Sequence, residues 1–279
     1  MFAVLCILWA ATGAAGCGTS DNSTADKAKP KVVAPVRPHY PLREYEPTPR
    51  DQAERDYLYR KGVWDCMAGL GYHHLPTVSE RLVAQEVRTT AEFDSRRYGI
   101  TDLSIASQYG YQLSPAVKGA DGTKSLTKSA VERKALSSCA RSANSGLRID
   151  SATRADMAVV VQLDQKGFQQ AETDPQVKAV FNAWSRCMAG LGYSYADPYK
   201  AAADHRFEHS SIKPSALEVA VARADIFCKQ KTDLVRIVTS VESEHQSTLI
   251  AQNRATLARA KKEVAHQRQI LASLLAGAG

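Results

Sequence analysis

Cysteine is the residue type with the widest chemistry in this chain, because its thiolate is a nucleophile, a metal ligand and a disulfide partner. The six cysteines are Cys6, Cys17, Cys66, Cys139, Cys187 and Cys228. Cys6 lies in an apolar stretch at the start of the sequence, and Cys17 directly follows small residues. The other four are spread over the body of the chain. Their even number favours structural disulfides in an oxidising compartment, which would leave no thiol free for catalysis.

Histidines are the next candidates for chemistry. His205 and His209 have the spacing of one helix face, and His73 and His74 are adjacent. Imidazoles are common zinc ligands, but no HExxH motif is present and the segment around His205 lies between turn-prone residues. We therefore interpret these histidines as polar loop residues and predict neither a metal site nor a cofactor.

Serine and carboxylate chemistry is not indicated either. No GxSxG motif is present, and the SxxK match from Ser125 to Lys128 lacks the KTG companion of penicillin-recognising enzymes. Glu242 and Glu244 would fall on different faces of a helix, and we interpret both as solvated. These observations predict that the protein is not an enzyme.

The first sixteen residues have the composition of an export signal. They carry no charged side chain and are apolar from Met1 to about Ala11. This run is shorter than the roughly 20 apolar residues that a membrane-spanning helix needs. We therefore interpret residues 1–16 as a cleaved signal peptide.

The residues before Cys17 resemble the lipobox of bacterial lipoproteins. Ala14, Ala15 and Gly16 are small, as a peptidase that holds the backbone closely requires. The resemblance implies that Cys17 is diacylated, with palmitate as one such chain, and becomes the first residue of the mature protein. Two acyl chains give a stable anchor where one is marginal. The expected location is the extracytoplasmic face of the cell membrane.

The composition is that of a globular protein with a basic surface. Hydrophobic residues make up 44% and charged residues 23% of the chain, and the formal net charge is +7. A positive charge favours contact with anionic lipid headgroups or wall polymers, but a solvated basic surface without a partner is the simpler interpretation, and we prefer it. The cluster Arg259, Lys261, Lys262 and Arg268 is interpreted as such a solvated face. No nucleic-acid partner is predicted.

A proline-rich segment follows Cys17. Residues 18–50 contain six of the eleven prolines and almost no periodic apolar pattern. We predict that residues 17–50 form an extended tether that lets the folded part stand clear of the lipid.

A repeat organises the rest of the chain. The sequence CMAGLGY occurs at 66–72 and again at 187–193. Each copy ends a predicted helix that begins near a proline, Pro49 in the first case and Pro175 in the second. The glycines fit a helix C-terminus at which one residue takes a positive φ, so GLGY is not interpreted as a phosphate loop.

Helical spacing places further apolar residues on predicted buried stripes. The two stripes that include the repeat cysteines are Tyr59, Val63, Cys66 and Leu70, and Val177, Val180, Trp184, Cys187 and Leu191. The remaining cysteines also lie in such patterns, with Val131, Ala135 and Cys139, and with Leu217, Val221, Ala224, Cys228 and Val235. A tryptophan precedes each repeat cysteine.

The order of these elements defines two related modules, 51–150 and 151–279. Each contains a helix with a cysteine, a Gly-Tyr turn, an insertion and a second helix with a cysteine. This order favours disulfides within modules, Cys66 with Cys139 and Cys187 with Cys228, whereas a bond between Cys66 and Cys187 would indicate one interlocked bundle. Closing such loops contributes on the order of 4 kcal/mol.

Three further segments complete the prediction. Residues 151–170 are predicted to be helical, and the pattern from Ser215 almost to the end predicts a long amphipathic helix or a helical hairpin. The insertion from Arg96 to Pro115 is rich in tyrosine and glycine. It would either pack over the core or form a binding surface.

The second module resembles secreted lipoproteins of actinomycetes. The residues that carry the resemblance are Trp184, Cys187, Met188, Gly192, Tyr193, Asp197, Pro198, Ala222 to Asp225, Cys228 and Lys229. The first module keeps the Cys-Gly-Tyr half and the RRYG segment at 96–99, but SSCARS around Cys139 departs from the pattern. The resemblance implies an exported helical protein and no particular activity.

The predicted fold is thus mainly α, a disulfide-stapled helical bundle of two related modules with a long C-terminal helix or helical hairpin. The predicted function is that of a membrane-anchored exported lipoprotein that binds an anionic wall polymer or another envelope protein without catalysis. The alternative is a hydrolase that acts on an envelope substrate through the first-module insertion. A solute-binding lipoprotein would need alternating strands and helices, and strand signals are sparse.

Overall fold

Helices make up nearly all of the regular structure. The computed structural model describes residues 39–74, 81–114, 129–147, 151–207 and 213–278. In these residues the chain forms α1 (Pro49–Gly69), α2 (Arg81–Ser95), α3 (Leu103–Tyr109), α4 (Ala130–Gly146), α5 (Ser151–Thr173), α6 (Pro175–Gly190), α7 (Pro198–Ala202), α8 (Ala216–Lys231), α9 (Leu234–Gln252) and α10 (Arg254–Ala278). The described residues contain no strand. The predicted mainly α fold is confirmed.

Side-chain caps fix where the repeat helices begin. The Thr48 side chain accepts a hydrogen bond from the Asp51 backbone N–H, and the Asp51 carboxylate accepts one from the Thr48 N–H. This capping box satisfies two backbone donors that the first turn of α1 would otherwise leave free. Asp174 caps α6 at the Gln176 N–H. A proline follows each cap residue, as the sequence predicts.

The two GLGY segments end their helices with the same geometry. Gly71 has φ +89° and Gly192 has φ +87°, values that favour glycine. The Tyr72 N–H donates to the Met67 carbonyl at 3.0 Å, and the Tyr193 N–H donates to the Met188 carbonyl at 3.0 Å. These are Schellman turns. The prediction that the glycines terminate helices is confirmed.

The turn also corrects the predicted buried stripes at their ends. Leu70 is 57% exposed and Leu191 is 46% exposed, because each is the cap residue that follows the last helical turn. The core positions at these helix ends belong instead to Met67 and Met188, both fully buried. Val131 and Leu217 are likewise exposed, near the beginnings of α4 and α8.

Each disulfide joins two helices of one module. Cys66–Cys139 links α1 to α4 with a Cα–Cα distance of 5.6 Å, and Cys187–Cys228 links α6 to α8 at 5.7 Å. Both distances are ordinary for disulfides. The predicted pairing within modules is therefore the pairing that the structure has.

The two modules share one compact unit, Pro35–Gly279. Helix α3 belongs to the first module but packs on α8, with Ala106 of α3 and the preceding Ile100 against Ala222 and Ile226. Helix α10 in turn packs against α1 as well as α5. A short helix such as α3 buries its apolar face only by using a neighbour in this way. The modules are thus repeats within one bundle.

The predicted tether ends earlier than residue 50. Tyr40 is 4% exposed and Leu42 is fully buried, and Pro41–Tyr45 forms a short 3₁₀ helix. The Leu42 N–H donates to the Gln246 side chain at 3.1 Å. The sequence does not predict this segment, because one helical turn within a proline-rich stretch is too short to show a periodic apolar pattern. Residues 17–38 lie outside the described part of the chain, as does the predicted signal peptide.

The C-terminal part folds as three successive helices. Asp233, with φ +55°, separates α8 from α9, and Asn253 separates α9 from α10. Leu257, Ala260 and Leu271 of α10 are buried. Among the described helices, none combines the length and apolarity that crossing a bilayer requires.

Candidate interaction surface

The structure does not bring the predicted chemical residues together. The His205 side chain is 96% exposed, and His74 lies 2.8 Å from the Glu132 carboxylate. His209, the Ser125–Lys128 segment and Cys17 lie outside the described residues. Within the described ranges, no group of three or more His, Cys, Asp or Glu side chains has the arrangement of a metal site.

A buried ionic cluster corrects the interpretation of Glu242. This residue is fully buried rather than solvated, and its carboxylate accepts hydrogen bonds from Arg97, the Tyr98 hydroxyl at 2.8 Å and Gln246. Arg97 also donates to Asp164 at 2.9 Å. Burial opposes the charge on Arg97, but these carboxylates outweigh it and raise its pKa. The cluster ties the first-module insertion to α5 and α9.

A second buried pair lies in the second module. The Lys229 ammonium donates to Asp225 at 2.9 Å and to the Ile100 carbonyl at 2.9 Å. Asp225 also accepts from Trp184 Nε1 at 2.9 Å and the Tyr111 hydroxyl at 3.2 Å. Burial raises the pKa of Asp225 and lowers that of Lys229. All of these groups are committed to one another, which gives the pair a structural role.

The first-module insertion packs over the core, one of the two outcomes predicted for it. Tyr98 and Ile100 are buried, and α3 covers α8. Gly110 allows a close approach at the end of this cover, because a Cβ there would lie 2.7 Å from Glu218 Cγ. Over residues 96–114, the insertion therefore closes the second module.

The basic cluster on α10 is largely neutralised by ion pairs. Arg259 pairs with Asp156, Lys261 with Glu44, and Arg268 with Asp51. Exposed pairs of this kind contribute little stability, but they do lower the local positive potential. The cluster is thus a poor match for an anionic polymer.

An apolar groove opens on the first module, between α1 and α4. Its volume is about 360 Å³. We call it the first-module groove, and it is lined by Tyr59, Arg60, Val63, Trp64, Leu136, Ser137 and Ala140. Val63 forms the buried floor, whereas Trp64 and Leu136 are half-buried and Ser137 is exposed. The Cys66–Cys139 disulfide joins the same two helices next to the groove.

The repeat gives the groove an internal counterpart on α6. When Cys66 is aligned with Cys187, Val63 corresponds to Trp184 and Trp64 corresponds to Ser185. The two tryptophans are therefore not equivalent, because one lies two residues before its cysteine and the other three. A shift of one residue turns a side chain by about 100° around a helix. Trp184 is accordingly fully buried, whereas Trp64 lines the groove.

The counterpart on α8 differs in chemistry and in cover. When Cys139 is aligned with Cys228, the groove residues Leu136, Ser137 and Ala140 correspond to Asp225, Ile226 and Lys229. Those three residues are at most 3% exposed. They lie beneath the segment from Ile100 to Tyr111, which contributes both apolar contacts and the hydrogen bonds described above. The same face of the repeat is closed in the second module, whereas in the first module the residues that the structure describes leave it open.

A smaller cavity lies between α1, α5 and α10. Its volume is about 180 Å³, and its wall contains Met157, Val264 and Leu271 together with the Asp51–Arg268 ion pair. The side chains of this pair already satisfy each other. A ligand bound there would have to compete with this ion pair for its hydrogen bonds.

Sequence reasoning did not find the first-module groove. The available signal was the replacement of Asp225 and Lys229 by Leu136 and Ala140 when the two cysteine helices are aligned. Models of known protein families, curated proteins and solved structures contain no match to this chain. The structural class therefore comes from the fold alone: over the residues that the structure describes, the protein is a helical bundle of two disulfide-stapled repeats.

Proposed function

We propose that the protein is an exported lipoprotein, anchored by lipid on Cys17, whose folded body binds another protein of the cell envelope through the first-module groove and catalyses no reaction. The two disulfides support export, because such bonds persist in oxidising compartments and are rare in the cytosol. The small residues before Cys17 support lipidation.

The observation that carries the binding function is the open groove. Its half-buried aromatic and aliphatic side chains form a concave apolar surface, which is the usual character of an interaction site. The adjacent disulfide holds α1 and α4 in place, so the surface is formed before a partner arrives. A wall polymer is a weaker candidate, because three of the four cations in the α10 cluster are paired with carboxylates.

The anchor is tested by metabolic labelling with an alkyne analogue of palmitate in a bacterium that processes lipoproteins. The wild-type chain should carry the label and sediment with membranes. The Cys17→Ser variant should lose the label and leave the membrane fraction. An unlabelled wild-type chain recovered without its first sixteen residues would contradict lipidation.

The interaction is tested by replacing Ser137 with a photoreactive amino acid in the full-length, membrane-anchored protein. Ser137 is exposed at the groove, and the matched control is Ser247, which is exposed on α9. Irradiation of cells should give a discrete adduct from position 137 and none of that mass from position 247. Equal labelling from both positions, or none from position 137, would refute the proposed binding surface.

A further inference from the structure

We infer that the occupant of the first-module groove is a short helix of a partner polypeptide, with an aliphatic or aromatic face and acidic residues beside it. This inference rests on the proposed function and specifies the partner. It follows from what covers the equivalent face in the second module, from the chemistry of the groove, and from the charges at its edge.

The second module shows which kind of element closes this face of the repeat. There the cover is α3, a helix of two turns that places Ala106 on the surface of α8, together with its flanking residue Ile100. The covered positions Asp225, Ile226 and Lys229 correspond to all three α4 positions of the groove. The element that covers these positions in the second module is therefore a short helix, about 10 Å along its axis.

The chemistry of the groove defines the buried face of that helix. In the second module the cover supplies hydrogen-bond partners to two buried charged groups. The Ile100 carbonyl accepts from Lys229, and the Tyr111 hydroxyl donates to Asp225. In the groove those positions are Leu136 and Ala140, which form no hydrogen bonds through their side chains. At these two α4 positions an apolar face would thus be buried without leaving a polar side chain unpaired.

Charges at the edge define the rest of the partner. Arg133 and Arg141 lie one helical turn before and after Ser137 and are exposed, and neither guanidinium has an ion-pair partner among the described residues. Arg60 lies in the groove itself and pairs with Glu86 at 2.9 Å. This positive edge would attract and orient a helix that carries Asp or Glu.

A second copy of this chain is a poorer occupant. Its element of matching shape, α3, is already docked on its own α8, where the Ile100 carbonyl accepts from Lys229 and the Tyr111 hydroxyl donates to Asp225. Release of α3 would leave that buried pair without these partners. The cost would oppose exchange between copies.

The experiment uses the purified mature lipoprotein in detergent micelles and two labelled helical peptides of about 14 residues, with apolar residues at i, i+3, i+4 and i+7. One peptide has Glu at its flanks and the other has Lys. Fluorescence anisotropy should show the Glu peptide binding at least about tenfold more tightly. Equal affinity of the two peptides, or no binding of either, would overturn the inference.

Matched substitutions test whether the peptide binds at the first-module groove. Ser137→Glu should weaken binding of the Glu peptide by about tenfold, whereas Ser137→Gln should retain its affinity, since Gln has the size and shape of Glu without the charge. Ser247→Glu should have no effect. If Ser137→Glu and Ser247→Glu behave alike, the peptide binds elsewhere and the inference is wrong.

The photo-adduct from position 137 separates this inference from the proposed function. Its fragmentation should identify a segment of another protein with helical apolar spacing and flanking Asp or Glu. An adduct with a second copy of this chain, or with an envelope protein through a basic or extended segment, would overturn the inferred acidic helical partner. It would leave the proposed binding function of the groove unaffected. Absence of any adduct, together with absence of peptide binding, would refute both.

Discussion

The buried Asp225–Lys229 pair gives the sharpest prediction about stability. Both residues are nearly inaccessible to solvent, and their charged atoms are 2.9 Å apart. They nevertheless differ in their other partners. Asp225 accepts from two neutral donors, Trp184 and Tyr111, whereas Lys229 has only the Ile100 carbonyl. Removing the carboxylate should therefore be worse than removing the ammonium.

The expected magnitudes follow from what each substitution leaves behind. Asp225→Ala leaves an ammonium buried without a counter-charge and two donors without an acceptor, a type of defect that costs about 3–5 kcal/mol. Lys229→Met keeps both donors to the carboxyl group and fills the space of the stem, so a loss of about 1–3 kcal/mol is expected.

The pH dependence of Lys229→Met follows from the same contacts. Burial already raises the pKa of Asp225, and loss of the ammonium removes a charge that lowers it. The folded variant then binds a proton at higher pH than the unfolded chain does. Its stability relative to the wild type should therefore recover as the pH falls through the pKa of the folded state.

Urea unfolding followed by circular dichroism under non-reducing conditions measures these differences. Arg259→Ala is the control, because its exposed pair with Asp156 should be worth less than about 1 kcal/mol. Equal losses for Asp225→Ala and Lys229→Met, or a reversed order, would show that the two neutral donors do not hold the carboxyl group as described.

Three further predictions concern the turn, the disulfides and the N-terminal cap of α1. Gly71→Ala should destabilise the protein by about 1 kcal/mol, because φ is +89° there. In the same urea assay Gly69→Ala should be neutral or stabilising, because the space around its Cβ is open. Equal effects of the two substitutions would contradict the turn geometry. Replacing both cysteines of either disulfide with alanine should lower the free energy of unfolding by on the order of 4 kcal/mol. Peptide mapping without reduction should recover peptides linked through Cys66–Cys139 and Cys187–Cys228. A peptide linked through Cys66 and Cys187 would be incompatible with the fold. Hydrogen bonding to Arg268 lowers the pKa of Asp51 from 3.8 to about 2. This pair therefore stabilises the fold above about pH 4, and the stabilisation is lost as the pH falls toward about 2. Arg268→Gln should flatten that part of the profile of stability against pH, and an unchanged profile would refute the assignment.

The local features of this fold were accessible from the sequence because neighbouring residues determine them. Asp174 and Pro175 indicate the start of α6, and the glycines of CMAGLGY indicate helix ends with positive φ. The pairing of Cys66 with Cys139 followed from the order of elements within a module. Each of these predictions depends on residues in one segment or on a simple repeat.

The buried charges were not accessible for a physical reason. Glu242 has polar neighbours at helical spacing, which is also the pattern of a solvated face, and its partner Arg97 lies 145 positions away. Nothing near Glu242 in the sequence indicates that Arg97 will neutralise it. Only the packing of the insertion against α9 creates the pair.

The groove was hidden for a related reason, since it arises from a difference between the modules rather than from a motif. The second module has an Asp–Lys pair on α8 and a helix of the same chain that covers it. The first module has Leu136 and Ala140 at the corresponding positions, and its described residues leave the equivalent face open beside a disulfide. An apolar face without a cover would ordinarily be a liability, because exposed apolar patches promote association. Such a face, next to two arginines that have no ion-pair partner among the described residues, is explained if a partner with an acidic helix supplies the cover. The fixed position of α1 and α4 then reduces the ordering cost of binding.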